Sequence, residues 1–172
     1  DEVWVREANE GNLGGDPRDD GSLFDMLIMY TAAARSQAGG TTNITNAMNG
    51  WVTLSNTYYT NSQINPRMRL VHLLETSYVE APANQNSIVL DRDRFRQNGD
   101  GFMDEVHTLR NTYGADLCHL VSRSNSTSIC GIAASLSLSQ SLGFAVTRYV
   151  CGASTFAHEV GHNQGCAHDR PN

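Results

Sequence analysis

Hydrophobic residues along the chain come in short blocks, and each change of period marks an element. The run LFDMLIMYT is apolar almost throughout. That is the pattern of a strand covered on both faces, and it predicts a buried strand near Phe24–Tyr30. After the stretch GGTTN, the apolar positions Ile44, Ala47, Met48, Trp51, Val52, Leu54 and Tyr58 recur mostly at helical intervals. They predict a helix of several turns that ends before Pro66, with Thr or Asn as its cap. RMRLVHLLETSYVE reads as a strand of mixed alternation, closed by a turn around Pro82 and Asn84. NGDGFMDEVHTLRNTYGAD predicts a helix with Asp100 at its start, Asp104 and Glu105 near its first turn and Gly114 past its end. ADLCHLVS has the continuous apolar run of a second doubly buried strand. ICGIAASLSLS alternates like an exposed or edge strand, LGFAVTRYV reads as a further strand, and STFAHEVGHNQG as the last helix. The order β-α-β-α-β-β-β-α has neither repeats nor a linker, so one α/β domain with a mixed sheet is expected.

At 172 residues, 40% hydrophobic and 17% charged, the chain can bury one core. Residues 1–21 stand apart as an acidic, Gly- and Asp-rich flexible arm, leaving 22–172 as the folded unit. A net charge of -6, with no Lys and no basic run, argues against a nucleic-acid surface. No apolar run approaches the roughly 18 residues of a membrane span. The chain opens at Asp1 with neither an initiator Met nor a signal peptide, as a processed product would. Cys118, Cys130, Cys151 and Cys166 are an even set without C-x-x-C pairs, which favours disulfides and a secreted protein. Cys130–Cys151 would tie neighbouring strands. Cys118–Cys166 is then left over, unless Cys166 pairs with a residue outside this chain.

The densest chemistry lies in HEVGHNQGCAHD, residues 158–169, which holds three of the six histidines. His158 and His162 are four apart, so on a helix both imidazoles project from one face and can share an ion. Glu159 lies one step round, within reach of a metal-bound water. Gly165 sits where the helix would end, and its freedom at positive φ lets the chain turn back to bring in His168. Three nitrogens around Zn²⁺ leave one position open for water, the mark of a catalytic rather than a structural site. A carboxylate beside that water can take its proton for attack on a peptide carbonyl and pass it to the leaving amine. Surface histidines on a terminal helix would need none of these fixed offsets.

The string H-E-x-x-H-x-x-G-x-x-H resembles that of the metzincin metalloendopeptidases, and Asp169 after the third His resembles the adamalysin/reprolysin branch. DDGSLFDMLIMYTAAARSQAGG, RMRLVHLLE, DGFMDEVHTLRNTYGADL, CGIAASL and FAHEVGHNQGCAHD look like blocks of the bacterial peptidyl-Asp metalloendopeptidases. The resemblance covers most of residues 19–169. It implies a metzincin-like fold with a twisted mixed sheet, long helices and a zinc-binding active-site helix. It also implies a secreted zinc endopeptidase that acts on polypeptides and cuts on the amino side of acidic residues. One catalytic Zn²⁺ would be held by His158, His162 and His168, with Glu159 as general base. Gly131, Ile132 and Ala133 resemble the rim strand that pairs with extended substrate in metzincins. Metzincins carry a Met-turn after the third His. Here all five methionines precede the motif and only Asp169–Asn172 follow it. Residues 22–172 are therefore expected to form an upper catalytic subdomain, completed by a C-terminal remainder of the same protein. The alternative is a non-catalytic metal-binding or latent fragment.

Other signals are weaker. His72 and His119 lie in apolar strands as packed, hydrogen-bonded side chains, and His107 is expected on a helix surface. Asp91, Asp93, Asp100, Asp104 and Glu105 do not match the D-x-[DN]-x-[DN]-G order, which leaves helix-capping or solvated roles beside a Ca²⁺ site. Arg148, shortly before the last helix, is a candidate cation for an acidic substrate side chain. LGGDP, with Asp16, is a candidate for a carboxylate that occupies the zinc in a latent form.

Overall fold

The computed structural model describes residues 21–82, 87–123, 128–136 and 139–168. The acidic arm with Asp16, the turn at Asn84 and the end from Asp169 onward lie outside the described residues, Gly21 excepted. Within them the chain runs β1 (Leu23–Thr31), α1 (Ala32–Ala38), α2 (Thr41–Asn61), β2 (Arg67–Thr76), α3 (Ser87–Arg96), α4 (Glu105–Tyr113), β3 (Leu117–Ser122), β4 (Gly131–Ala133), β5 (Phe144–Arg148) and α5 (Gly152–Asn163). The strands form one five-stranded sheet in the order β2-β1-β3-β5-β4. The first four of these strands in space are parallel, and β4 lies antiparallel on the edge beside β5.

Alternation along the central strands divides the core. From β1, Met26, Ile28 and Tyr30 point to one face, where they meet Ile44, Met48 and Trp51 of α2 and Phe156 and Val160 of α5. Leu27 and Met29 point to the other face, against Ile88 and Phe95 of α3 and Val106 of α4. Every residue of β3 is buried, as a parallel strand covered by helices on both sides must be. All five methionines lie in these two clusters.

Two helices were not expected. α1 follows β1 with no intervening turn, because Thr31 ends the strand and its hydroxyl also accepts the Ala34 N–H as a helix cap. α3 is rich in charge, and its buried face is Ile88, Asp91 and Phe95. The aspartate on that face interrupts the apolar period. The helix expected from Asp100 begins only at Glu105, because Asp100 and Asp104 serve the preceding loop. Asp104 accepts the N–H groups of Gly99 and Gly101, and Asp100 accepts that of Phe102. The edge strand is shorter than its alternating pattern predicts, with three residues. Among the described residues, no helix is long and apolar enough to cross a membrane.

A disulfide joins Cys130, before β4, to Cys151, before α5. Its sequence separation of 21 residues corresponds to about 3 kcal/mol in the chain-entropy account. The second pairing, Cys118–Cys166, does not form, and both thiols are free. Cys118 is buried on the α3 and α4 side of the sheet, and burial pushes its thiol up to about 12. Cys166 is exposed beyond α5, the helix that packs on the opposite side.

His119 is fully buried on β3, its ring against Phe156 at 4.5 Å and its Nε2 2.9 Å from Thr147 Oγ1. His72 is half-buried and stacks on Tyr113 at 4.0 Å. His107 is not on the surface as expected; it is half-buried with its ring against Phe144. Burial drives the His119 imidazole down to about 3, so the folded state holds it neutral. Between about pH 6.5 and 3 the unfolded chain binds a proton there that the folded chain does not, and stability therefore falls as pH falls. The metal-free wild type is expected to lose up to ~1.4 kcal/mol per pH unit more than His119→Gln across this window. Denaturant titrations at a series of pH values measure it; identical slopes would contradict it.

Candidate metal centre

α5 carries the site because its two long sides do different work. Phe156 and Val160 are fully buried in the core, and removing a buried Phe costs about 3–5 kcal/mol. His158 and His162, one turn apart, share one face of the helix with ring centroids 4.4 Å apart. The helix then ends in a paired cap. Gly165 takes φ +95 and donates to the His162 carbonyl at 2.9 Å, and the Cys166 N–H donates to the Gly161 carbonyl at 2.9 Å. This is the hydrogen-bond pattern of a Schellman turn, which asks for glycine at the left-handed position. The turn reverses the chain and returns His168 to the helix.

The three histidines converge. His168 Nε2 lies 3.0 Å from Nε2 of both His158 and His162. One ligand atom from each of the three lies within 4.8 Å of the others, the single group of this kind among the described residues. His162 Nδ1 is 2.7 Å from the Cys166 carbonyl. That carbonyl accepts the Nδ1 proton and so leaves the Nε2 lone pair directed at the other two rings. Burial, and then the neighbouring His162 and His168, hold the His158 imidazole below its ordinary range. Neutral rings are the form that binds metal.

Glu159 is buried, its side chain lying against Gly131 of the edge strand. Desolvation pushes its carboxyl up to about 7, against the pull of His162 and of a hydrogen bond from the Ala133 main-chain N–H. Glu159 and the outer histidines, His158 and His168, share an open cleft. Its other walls are Ser128, Ile129, Cys130 and Gly131 on the edge-strand side and Ser154 and Thr155 on α5.

Of the expected rim residues, Gly131 lines this cleft, Ala133 bonds Glu159, and Ile132 pairs with Val146 on β5. Arg148 does not line it. Arg148 sits half-buried at the end of β5, its main-chain N–H donating to the Cys130 carbonyl. The acidic set is dispersed among protein partners. Asp91 accepts the Tyr78 hydroxyl and the Ala81 N–H, Asp93 pairs with Arg92, and Glu105 accepts the Thr76 hydroxyl. Ser154 and Thr155 were missed. Their offsets of four and three residues before His158 put them one turn earlier on the same helical face, so the helix period alone could have found them. The Cys166 carbonyl left no side-chain signal.

Similarity to known proteins agrees with this geometry. The chain is 36% identical over 171 residues to a peptidyl-Asp metalloendopeptidase of Stenotrophomonas maltophilia, covering 98% of this chain and 37% of that protein. It is 33% identical over 165 residues to a peptidyl-Asp metalloendopeptidase of Xanthomonas campestris pv. campestris, covering 94% of this chain and 38% of that one. The chain thus spans well under half the length of these relatives. Its fold is similar to that of metalloproteinase-II from Bacteroides fragilis, with a TM-score of 0.52 at 15% identity over 86% of this chain and 43% of that structure. The reprolysin profile of metallo-peptidase family M12 matches residues 21–172, and the chain belongs to that family.

Proposed function

We propose that this chain carries the metal-binding half of a secreted zinc endopeptidase, with His158, His162 and His168 as ligands and Glu159 as general base. The observation that carries this reading is the convergence of three imidazole nitrogens beside a buried carboxylate. Zinc bound by nitrogens at about 2.0–2.1 Å in tetrahedral array has them roughly 3.4 Å apart. The closest Nε2 separations of 3.0 Å need only a small expansion to meet that. Imidazole nitrogens, with His162 oriented by the Cys166 carbonyl, fit zinc better than calcium, which takes oxygen ligands. The disulfide fits an oxidising, extracellular setting.

Zinc in such a site polarises a peptide carbonyl and makes water more acidic. The remaining work falls to the protein. Glu159 takes a proton from the attacking water at its carboxylate and delivers it to the amine leaving the cut bond. The Ala133 N–H holds that carboxylate at the cleft wall, and its burial gives it a proton affinity near neutrality, suited to both steps. The edge strand offers a wall along which an extended polypeptide can lie. The similar enzymes are named peptidyl-Asp metalloendopeptidases, which supports a preference for bonds at Asp; the amino side of Asp or Glu is the form of it proposed here. Among the described residues lining the cleft there is no arginine.

In the full-length protein, Glu159→Gln is expected to lower peptide hydrolysis by about 100-fold to 10,000-fold while bound zinc stays at about one per molecule. Steady-state kinetics with metal analysis measures both; activity that survives the substitution would remove Glu159 from the mechanism. Peptides that differ only in carrying Asp, Glu or Ala after the cut bond test the preference. Hydrolysis is expected to fall about tenfold or more for Ala, the scale of a lost charged contact. Equal rates would contradict it.

A further inference from the structure

Gly131 on β4 has its Cα almost against the Glu159 side chain. A Cβ at that position would lie 2.6 Å from Glu159 Cγ, 2.7 Å from Oε1 and 2.9 Å from Cδ. Carbon atoms are at ease about 3.5–4.0 Å apart, so an alanine here demands a displacement of about 1 Å. Backbone strain is not involved, because Gly131 is not among the residues at positive φ. The demand is steric alone.

The strand has little room to meet that demand by retreating. Cys130, directly before Gly131, is bonded to Cys151, directly before α5, with Cα atoms 5.7 Å apart. Ile132 is fixed in register with Val146 of β5. Ala133 is held on both of its main-chain groups, since its N–H bonds Glu159 and its carbonyl accepts from Arg92 Nη1 at 3.3 Å. Strand and helix are thus pinned on both sides of Gly131, and the carboxylate between them is the part that would move.

We infer that Gly131 is a positioning residue for Glu159: its missing side chain leaves the space in which the carboxylate is held against the edge strand. This rests on the proposed role of Glu159 as general base. A glycine that served only to let a substrate lie along the rim would act differently, through substrate binding.

The test is a double-mutant cycle of Gly131→Ala and Glu159→Ala in the full-length protein, read by thermal unfolding of the metal-free form and by kcat and KM of the zinc-loaded form. Gly131→Ala alone is expected to lower Tm by about 3 °C or more, the effect of overpacking a filled site. In the Glu159→Ala background that loss is expected to vanish, because the atoms it collides with are gone. In the enzyme, Gly131→Ala is expected to lower kcat by about tenfold to a hundredfold, the scale of a 1 Å misplacement, with KM little changed. An equal Tm loss in both backgrounds would overturn the inference, and so would a raised KM with unchanged kcat. If Gly131→Ala does not fold, recovery of folding by Glu159→Ala supports the inference and its failure refutes it. Should Glu159→Gln retain full activity, the proposed mechanism fails on its own, and the metal-free Tm cycle still reports on the contact.

Discussion

The site depends on one helix being held firmly on the sheet while its opposite edge stays open. Phe156 and Val160 are fully buried against β1, β3 and α2, and that burial fixes the height and rotation of α5. His158 and His162 follow with no freedom of their own, since one helical turn sets their spacing. Trp51 adds a second restraint, packing against Phe156 and stacking on Tyr149 just ahead of the helix. Tyr59 adds a third at the far end, where its hydroxyl donates to Gln164. Metal affinity of the kind this geometry offers comes from ligands that do not have to be gathered at binding.

Around that helix, two glycines solve opposite problems. Gly165 supplies a backbone conformation that returns His168 to the helix and presents the Cys166 carbonyl to His162. Gly131 supplies an absence of atoms, which lets the edge strand approach Glu159. The disulfide links the start of that strand to the start of α5. The site therefore draws on three separate stretches of chain, and the sheet and the disulfide hold them in one place.

Much of this was legible in the sequence, for physical reasons. The doubly buried strands β1 and β3 announce themselves as continuous apolar runs, and α2 through its period. The histidine motif is legible because helix geometry converts spacing into direction. What escaped was carried by other means. α1 hides behind a residue that both ends a strand and caps a helix. α3 buries Asp91 where the period asks for an apolar residue, its carboxylate satisfied by Tyr78 and Ala81. The Cys118–Cys166 pairing failed because residue counting does not say which side of a sheet a thiol faces. Arg148 is close to α5 in sequence, but it stands at the end of β5 and is not among the residues that line the cleft. The contact between Gly131 and Glu159 joins residues 28 positions apart in the chain, and nothing local signals it.

An open zinc site built from three imidazoles is best tested by X-ray absorption at the zinc edge of the loaded protein. Three nitrogen ligands at about 2.0–2.1 Å, an additional oxygen from solvent and no sulfur are expected. A sulfur shell at about 2.3 Å would place the exposed Cys166 thiol on the metal and close the site into a structural one. That result would contradict the account.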